Sequence, residues 1–139
     1  MLTLDTNVWI AAYDPRDRFH GESTIFLTTL ARRQMKLYGP TFVTVEAGCA
    51  LARRAQNTEV GVQAIKRLSA YPLLTLLPMN ELLLATAGEL GARYLLRGAD
   101  ALFAATATLS GAPLVSWDQE LVSRAGAVTP ADWLDTNAP

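Results

Sequence analysis

The chain has 139 residues, half of them hydrophobic and 18% charged, which excludes a disordered polypeptide and supplies enough apolar side chain for a real core. Twelve basic against thirteen acidic residues leave a formal charge of −1, so no global basic field draws in a polyanion and any such partner must be met by a local patch. The single cysteine, Cys49, excludes an intramolecular disulfide and suits a reducing compartment. No apolar run approaches the roughly 18 residues of a membrane span, and no leader pattern follows Met1, so a soluble cytoplasmic chain without membrane association is expected, one domain over residues 1–139.

Leu2 to Leu4 predicts a first strand, and Thr6 to about Tyr13 a short helix capped by Asp5 or Thr6. Asp14-Pro15-Arg16-Asp17 is a turn. His20 to about Gln34 carries Ile25, Phe26, Leu27 and Leu30 at helical spacing, with Arg32 and Arg33 at the favourable carboxyl end. Lys36 to Tyr38 reads as a strand stopped by Gly39-Pro40. Thr41 to about Gln56 follows as a helix with Phe42, Val45, Cys49 and Ala52 as its apolar stripe. Thr58 to Ser69 is another helix, with Val62, Ile65 and Leu68 inward.

Leu73 to Leu77, between Pro72 and Pro78, predicts a buried strand. Asn80 caps a helix to about Leu95 whose stripe is Leu83, Ala87, Leu90 and Tyr94. After Gly98, Ala99 to Leu109 is apolar nearly all round and is therefore a central helix. Leu114 to Ser116 is a strand, Gln119 to Arg124 a helix, and Val128 to Thr129 a last short strand. Strands alternating with helices predict an α/β fold, a three-layer α/β/α sandwich with a central parallel sheet.

Four acids sit among apolar or small neighbours: Asp5 at the end of the first strand, Glu46 in Thr44-Val45-Glu46-Ala47, Asp100 after Gly98-Ala99, and Asp118 after Leu114-Val115-Ser116-Trp117. A lone carboxylate is costly to bury, so such acids are partnered. Each has a bland reading: Asp5 and Asp118 as helix caps, Asp100 as a helix-start acid, Glu46 on a solvated helix face. Capping treats three of them separately and leaves Glu46 unexplained, whereas a shared divalent cation accounts for all four. Sites in parallel sheets form outside the carboxyl ends of the strands, where Asp5 and Asp118 fall.

Other candidates are bland. His20 is the only histidine and sits beside a turn, giving no support to histidine-based catalysis. Cys49 lacks any partner at zinc spacing and reads as a core thiol. Trp9, Trp117 and Trp133 read as packing residues, and Gly91 and Gly98 are too sparse for a phosphate loop.

Leu4-Asp5-Thr6-Asn7-Val8, the mid-chain Glu46, Gly98-Ala99-Asp100-Ala101-Leu102-Phe103-Ala104-Ala105 and Val115-Ser116-Trp117-Asp118-Gln119-Glu120-Leu121 together resemble the PIN domain and, within it, the VapC-type toxins. The resemblance runs from about Met1 to Thr129. It implies a metal-dependent ribonuclease, a cognate VapB-type antitoxin and a homodimer. Residue by residue, it places Asp5, Glu46, Asp100 and Asp118 at acidic metal positions, with Asn7 and Ser116 as polar neighbours.

Clustered carboxylates raise one another's pKa unless a cation is present, and an oxygen-only donor set selects Mg²⁺ or Mn²⁺. The expected chemistry is in-line attack of an activated water on an RNA phosphodiester, with Asp5, Asp100 and Asp118 as main ligands and Glu46 as a ligand or water-orienting base. Arg53, seven residues after Glu46 on the same helix face, and Arg97 are candidates for holding RNA; both also fit ordinary solvated arginines. The antitoxin is expected to seat an arginine on the acids and to anchor on surplus apolar residues of the first two helices, Val8, Trp9, Ile10, Phe26 and Leu30. A haloacid-dehalogenase-type phosphatase fits less well, since Asn7 stands where its second aspartate belongs. A non-catalytic PIN-like RNA- or protein-binding module is the main alternative.

Overall fold

All three residues of Leu2–Leu4 are buried, because this strand, β1, runs through the interior of a parallel sheet. The computed structural model describes residues 1–138. Its other strands are β2 (Leu37–Pro40), β3 (Leu74–Leu77) and β4 (Leu114–Val115), in the order β3-β2-β1-β4, every pair parallel. Thr3 pairs with Tyr38 on one side and Leu114 on the other. Covered on both faces, such strands read as continuous apolar runs, which is why they are legible in sequence.

The helices are α1 (Thr6–Tyr13), α2 (His20–Arg32), α3 (Phe42–Ala55), α4 (Thr58–Ser69), α5 (Glu81–Tyr94), α6 (Gly98–Ser110), α7 (Gln119–Ala125) and α8 (Pro130–Thr136). They flank the sheet to give the α/β/α architecture. The small-residue helix α6 lies against β1 and β2, with α5 outside it. Leu83 and Ala87 of α5 meet Ala101 and Ala105 of α6 in a small apolar cluster of their own.

Four local expectations change. Leu74–Leu77 is an edge strand bonded only to β2, so its residues are half-exposed rather than buried. The expected strand at Val128–Thr129 reduces to one parallel bridge, Val128 to Val115. An unforeseen helix, α8, follows: Pro130 stands at its start and the Thr129 hydroxyl accepts from the Asp132 N–H at 3.1 Å. Trp133 of α8 then packs edge-on against Phe26, ring centroids 5.4 Å apart.

The fourth concerns helix faces. On α3 the buried residues are Val43, Ala47, Gly48 and Leu51, while Val45 and Cys49 are exposed; on α4 they are Gly61, Ala64 and Leu68, while Val62 is exposed and Ile65, partly exposed, lays its side chain over Gly48. The two helices approach through Gly48 and Gly61, where a Cβ on Gly61 would lie 2.5 Å from the Gly48 carbonyl oxygen. Backbones that close admit only small residues where they meet; Ile65 covers Gly48, and Val45 and Val62 are left exposed.

Val8, Trp9, Ile10, Phe26 and Leu30 are all buried in the main core. They are structural, each contributing about 2–3 kcal/mol by burial, and form no surplus groove for an antitoxin. Among the described residues, no helix is long and apolar enough to cross a membrane.

Candidate metal centre

The strand order places β2 and β3 successively on one side of β1 and β4 on the other, so the chain leaves β1 and β4 in opposite directions. A crevice opens between their carboxyl ends. Asp5 follows β1 directly and its N–H donates to the Val115 carbonyl at 3.0 Å, holding the two strand ends together.

Two side chains fix the Asp5 carboxylate. Its Oδ2 accepts from Ser116 Oγ at 2.6 Å and from Asn7 Nδ2 at 2.7 Å. Ser116 Oγ accepts in turn from Asn7 Nδ2 at 3.0 Å and from the Asp118 N–H at 2.9 Å, and Asn7 Oδ1 accepts from the Trp117 N–H at 3.1 Å. Asp5 stands at the start of α1 without a capping hydrogen bond, so the capping reading fails for it. Asp118 does cap α7, its Oδ1 accepting from the Glu120 N–H at 2.8 Å, which leaves Oδ2 for another partner.

Asp100 enters from the first turn of α6 and Glu46 from α3. One cleft of about 270 Å³ is lined by Asp5, Thr6, Glu46, Arg97, Asp100 and Asp118 together. The sequence-predicted acids therefore converge, from four separate elements. Arg97 converges with them: its Nε donates to Asp100 Oδ2 at 2.8 Å and its Nη2 to Asp118 Oδ2, with Glu120 at 3.9 Å. Arg53 does not line this cleft; it is exposed beside Ala50, Arg54 and Gln56.

Burial pushes the Asp5 carboxyl up to about 7; the Ser116 hydrogen bond opposes this, and the charges of Glu46 and Asp100 add to it. A carboxylate so placed is stabilised by any cation that enters.

Among the described residues, no three His, Cys, Asp or Glu side chains stand close enough to enclose an ion as arranged, and Arg97 pairs with both Asp100 and Asp118. The chemistry of the donor set nevertheless fits a hard cation: all four acids offer oxygen, and both side-chain donors to Asp5 address Oδ2, so Oδ1 takes none. Thr6 Oγ1, also lining the cleft, is buried with no hydrogen-bond partner, a further oxygen without a role in the fold.

Sequence reasoning missed the rim of this site. Trp117 stacks flat on Phe19, with ring centroids 4.0 Å apart and an interplanar angle of 2°. Arg54 pairs with Asp17 at 2.7 Å and Asp14 at 3.4 Å. The one available signal was the position of Trp117 between Ser116 and Asp118. His20 is half-buried with Nδ1 2.9 Å from the Ala11 carbonyl, away from the cleft lining. Cys49, expected in the core, is exposed.

The PIN domain family model matches residues 2–127. Three solved structures share the fold. FitAcB from Neisseria gonorrhoeae has a TM-score of 0.69 at 21% identity, covering 94% of this chain and 99% of that one. VapC20 from Mycobacterium tuberculosis, described as a sarcin–ricin loop cleaving toxin, has a TM-score of 0.79 at 20% identity, covering 92% and 97%. A toxin–antitoxin complex from Klebsiella pneumoniae has a TM-score of 0.66 at 19% identity, covering 94% and 98%. No curated protein matches the chain. With the family model spanning all but the first residue and the last twelve, the chain belongs to the PIN domain family.

Proposed function

We propose that the chain is a divalent-metal-dependent endoribonuclease and the toxin component of a cytoplasmic toxin–antitoxin pair. The observation that carries this reading is the convergence of Asp5, Glu46, Asp100 and Asp118 on one cleft at the carboxyl end of the sheet. Fold neighbours described as an RNA-loop-cleaving toxin and as a toxin–antitoxin complex support both halves of it.

Asp5, Asp100 and Asp118 would hold Mg²⁺ or Mn²⁺, with Glu46 as a further ligand. When bound, the ion supplies an activated water and charge compensation at the phosphate. Ser116 and Asn7 hold the Asp5 carboxylate in one orientation by occupying Oδ2. Glu46 makes no ion pair among the described residues, so it is free to orient the attacking water. Arg97, released from Asp100 and Asp118, offers its charge to the RNA phosphate that four carboxylates would otherwise repel.

An antitoxin arginine laid over the acids would reproduce between chains the contact Arg97 makes within one. The exposed Val45 and Val62 on α3 and α4 are apolar surface that a second copy would cover in a homodimer.

Purified protein is expected to cleave unstructured RNA in Mg²⁺ or Mn²⁺, poorly in Ca²⁺ and not in EDTA. Asp5→Asn and Asp100→Asn should abolish cleavage while remaining folded. Expression of the chain alone should arrest growth, and the Asp5→Asn version should not. Full activity in EDTA, or in either variant, overturns the reading. A non-catalytic RNA-binding module is the second reading, favoured by the contact of Arg97 with two of the acids. RNA binding with no cleavage under any metal would select it.

A further inference from the structure

Beside the acid cleft, and sharing Asn7 and Asp118 with it, lies a larger open pocket of about 630 Å³ walled by Arg18, Phe19, Arg54 and Trp117. Its volume is within the roughly 300–1,000 Å³ of small-ligand sites.

The wall is held in place from several directions. Trp117 is fixed at its backbone by Asn7, through the 3.1 Å bond to Oδ1, and at its indole by Nε1 donating to Ser23 Oγ at 2.8 Å. Phe19 lies parallel on that indole. The Arg18 guanidinium sits 4.4 Å from the Phe19 ring centroid, on the ring rather than on a carboxylate; it makes no ion pair among the described residues. Arg54, by contrast, is tied to Asp14 and Asp17 and serves as wall.

A planar cation resting on an aromatic ring marks a place that another flat, polarisable group can take, and Arg18 has no partner to hold it there. We propose that this pocket seats one unpaired nucleotide of the RNA substrate next to the scissile phosphate, its base replacing Arg18 on the Phe19–Trp117 stack and Arg18 turning to the adjoining phosphate. This rests on the ribonuclease reading above and assigns the subsite that would hold the base next to the cut, which requires that base to be unpaired. A base inside a duplex is already stacked on its neighbours and its faces are closed to a protein ring, whereas unpaired bases stack on aromatic side chains in a sequence-tolerant way. Trp117 lies in the chain between Ser116 and Asp118, so a base on this stack is placed by the same loop that carries an acid of the cleft.

The test is a cleavage assay with an unstructured oligoribonucleotide in Mn²⁺, in which each nucleotide around the cut is replaced in turn by an abasic one. In the unsubstituted protein, one position adjoining the cut should raise KM about tenfold with kcat little changed. In Phe19→Leu, the intact RNA should already show that raised KM, and the abasic replacement should cost less than about twofold more. Arg18→Gln, at an exposed residue, should raise KM and lower the dependence of binding on salt by about one phosphate contact. The same sequence locked in a duplex should be a poor substrate for all three proteins.

If the protein cleaves RNA but every abasic position acts equally on the unsubstituted protein and on Phe19→Leu, the pocket is not a base site and the ribonuclease reading stands. Equal KM and salt dependence in Arg18→Gln would remove the phosphate role. No cleavage of any RNA by the unsubstituted protein overturns both readings together. Should Phe19→Leu fail to fold, the Arg18→Gln and duplex comparisons decide.

Discussion

Ser116 and Asp5 stand 111 residues apart in the chain, yet the Ser116 hydroxyl donates to Asp5 Oδ2 at 2.6 Å. The bond joins the carboxyl ends of β4 and β1 and lowers the pKa of a carboxyl that burial pushes up to about 7. If Asp5 holds the proposed ion, protons and metal would compete for it near neutrality. Metal affinity of the natural protein should rise steeply between about pH 6 and 8. Ser116→Ala removes the opposing hydrogen bond, so Asp5 should hold its proton to higher pH and the Mn²⁺ midpoint at pH 7 should weaken about tenfold, a deficit that narrows at pH 9. Isothermal titration at the two pH values reads this directly; an equal loss at both would show that Ser116 acts only on structure.

Asp5 also sets how metal-free stability depends on pH. Its folded pKa of about 7 exceeds the ordinary 3.8, so in that window the folded state retains a proton that the unfolded chain has lost. Stability should fall as pH rises from 3.8 to about 7 and stay low above it. In EDTA at pH 8, Asp5→Asn should be more stable than the natural protein by on the order of 2–4 kcal/mol, with the difference nearly gone at pH 4. Saturating Mg²⁺ should reverse the ranking at pH 8, since only the carboxylate gains from the ion. Denaturant melts across pH supply the measurement, and a difference independent of pH would contradict the assignment.

Arg97 pairs with Asp100 and Asp118, two of the acids proposed to hold the ion, and would compete with it for them. Its side chain is 68% exposed, so each ion pair is worth only a few tenths of a kcal/mol to about 1 kcal/mol. Arg97→Gln should therefore tighten Mn²⁺ binding about threefold while raising KM for RNA. Fold stability should change little. Weaker Mn²⁺ binding in the variant would mean that Arg97 organises the acids rather than competing for them.

The α3–α4 contact has a sharp steric limit. A Cβ on Gly61 would lie 2.5 Å from the Gly48 carbonyl oxygen and 2.7 Å from Ala52 Cβ, both rigid neighbours. Gly61→Ala should cost about 1–3 kcal/mol by overpacking. Gly21, in α2 with nothing within 4 Å of its added Cβ, is the control: Gly21→Ala should gain up to about 1 kcal/mol from helix propensity. Equal melting temperatures for the two variants would show that α3 and α4 can part without loss.

The elements from β1 to α7 and the placement of the four acids among apolar neighbours were legible in the chain because they depend on local chemistry, whereas α8 was not. A run such as Leu2-Thr3-Leu4 ended by Asp5 shows both a buried strand and a charge delivered at its end, and Pro, Gly and Asn punctuate the helices that follow. Which face of a helix is buried was not local. On α3, Phe42-Val45-Cys49 and Val43-Ala47-Leu51 both have helical spacing and are similarly apolar, so the sequence does not choose between them. The tertiary structure chose the second because Gly48 must face Gly61, and close backbone approach excludes bulk. Likewise Leu74–Leu77 is apolar enough for the middle of a sheet, and only the strand order puts it at the edge. Contacts across long separations are set by the pairing of β1 with β4: the Ser116–Asp5 bond, the hold of Arg97 on Asp118, and the Phe19–Trp117 stack beside them. No periodicity records such pairs, because each partner is an ordinary residue until the fold brings the other to it.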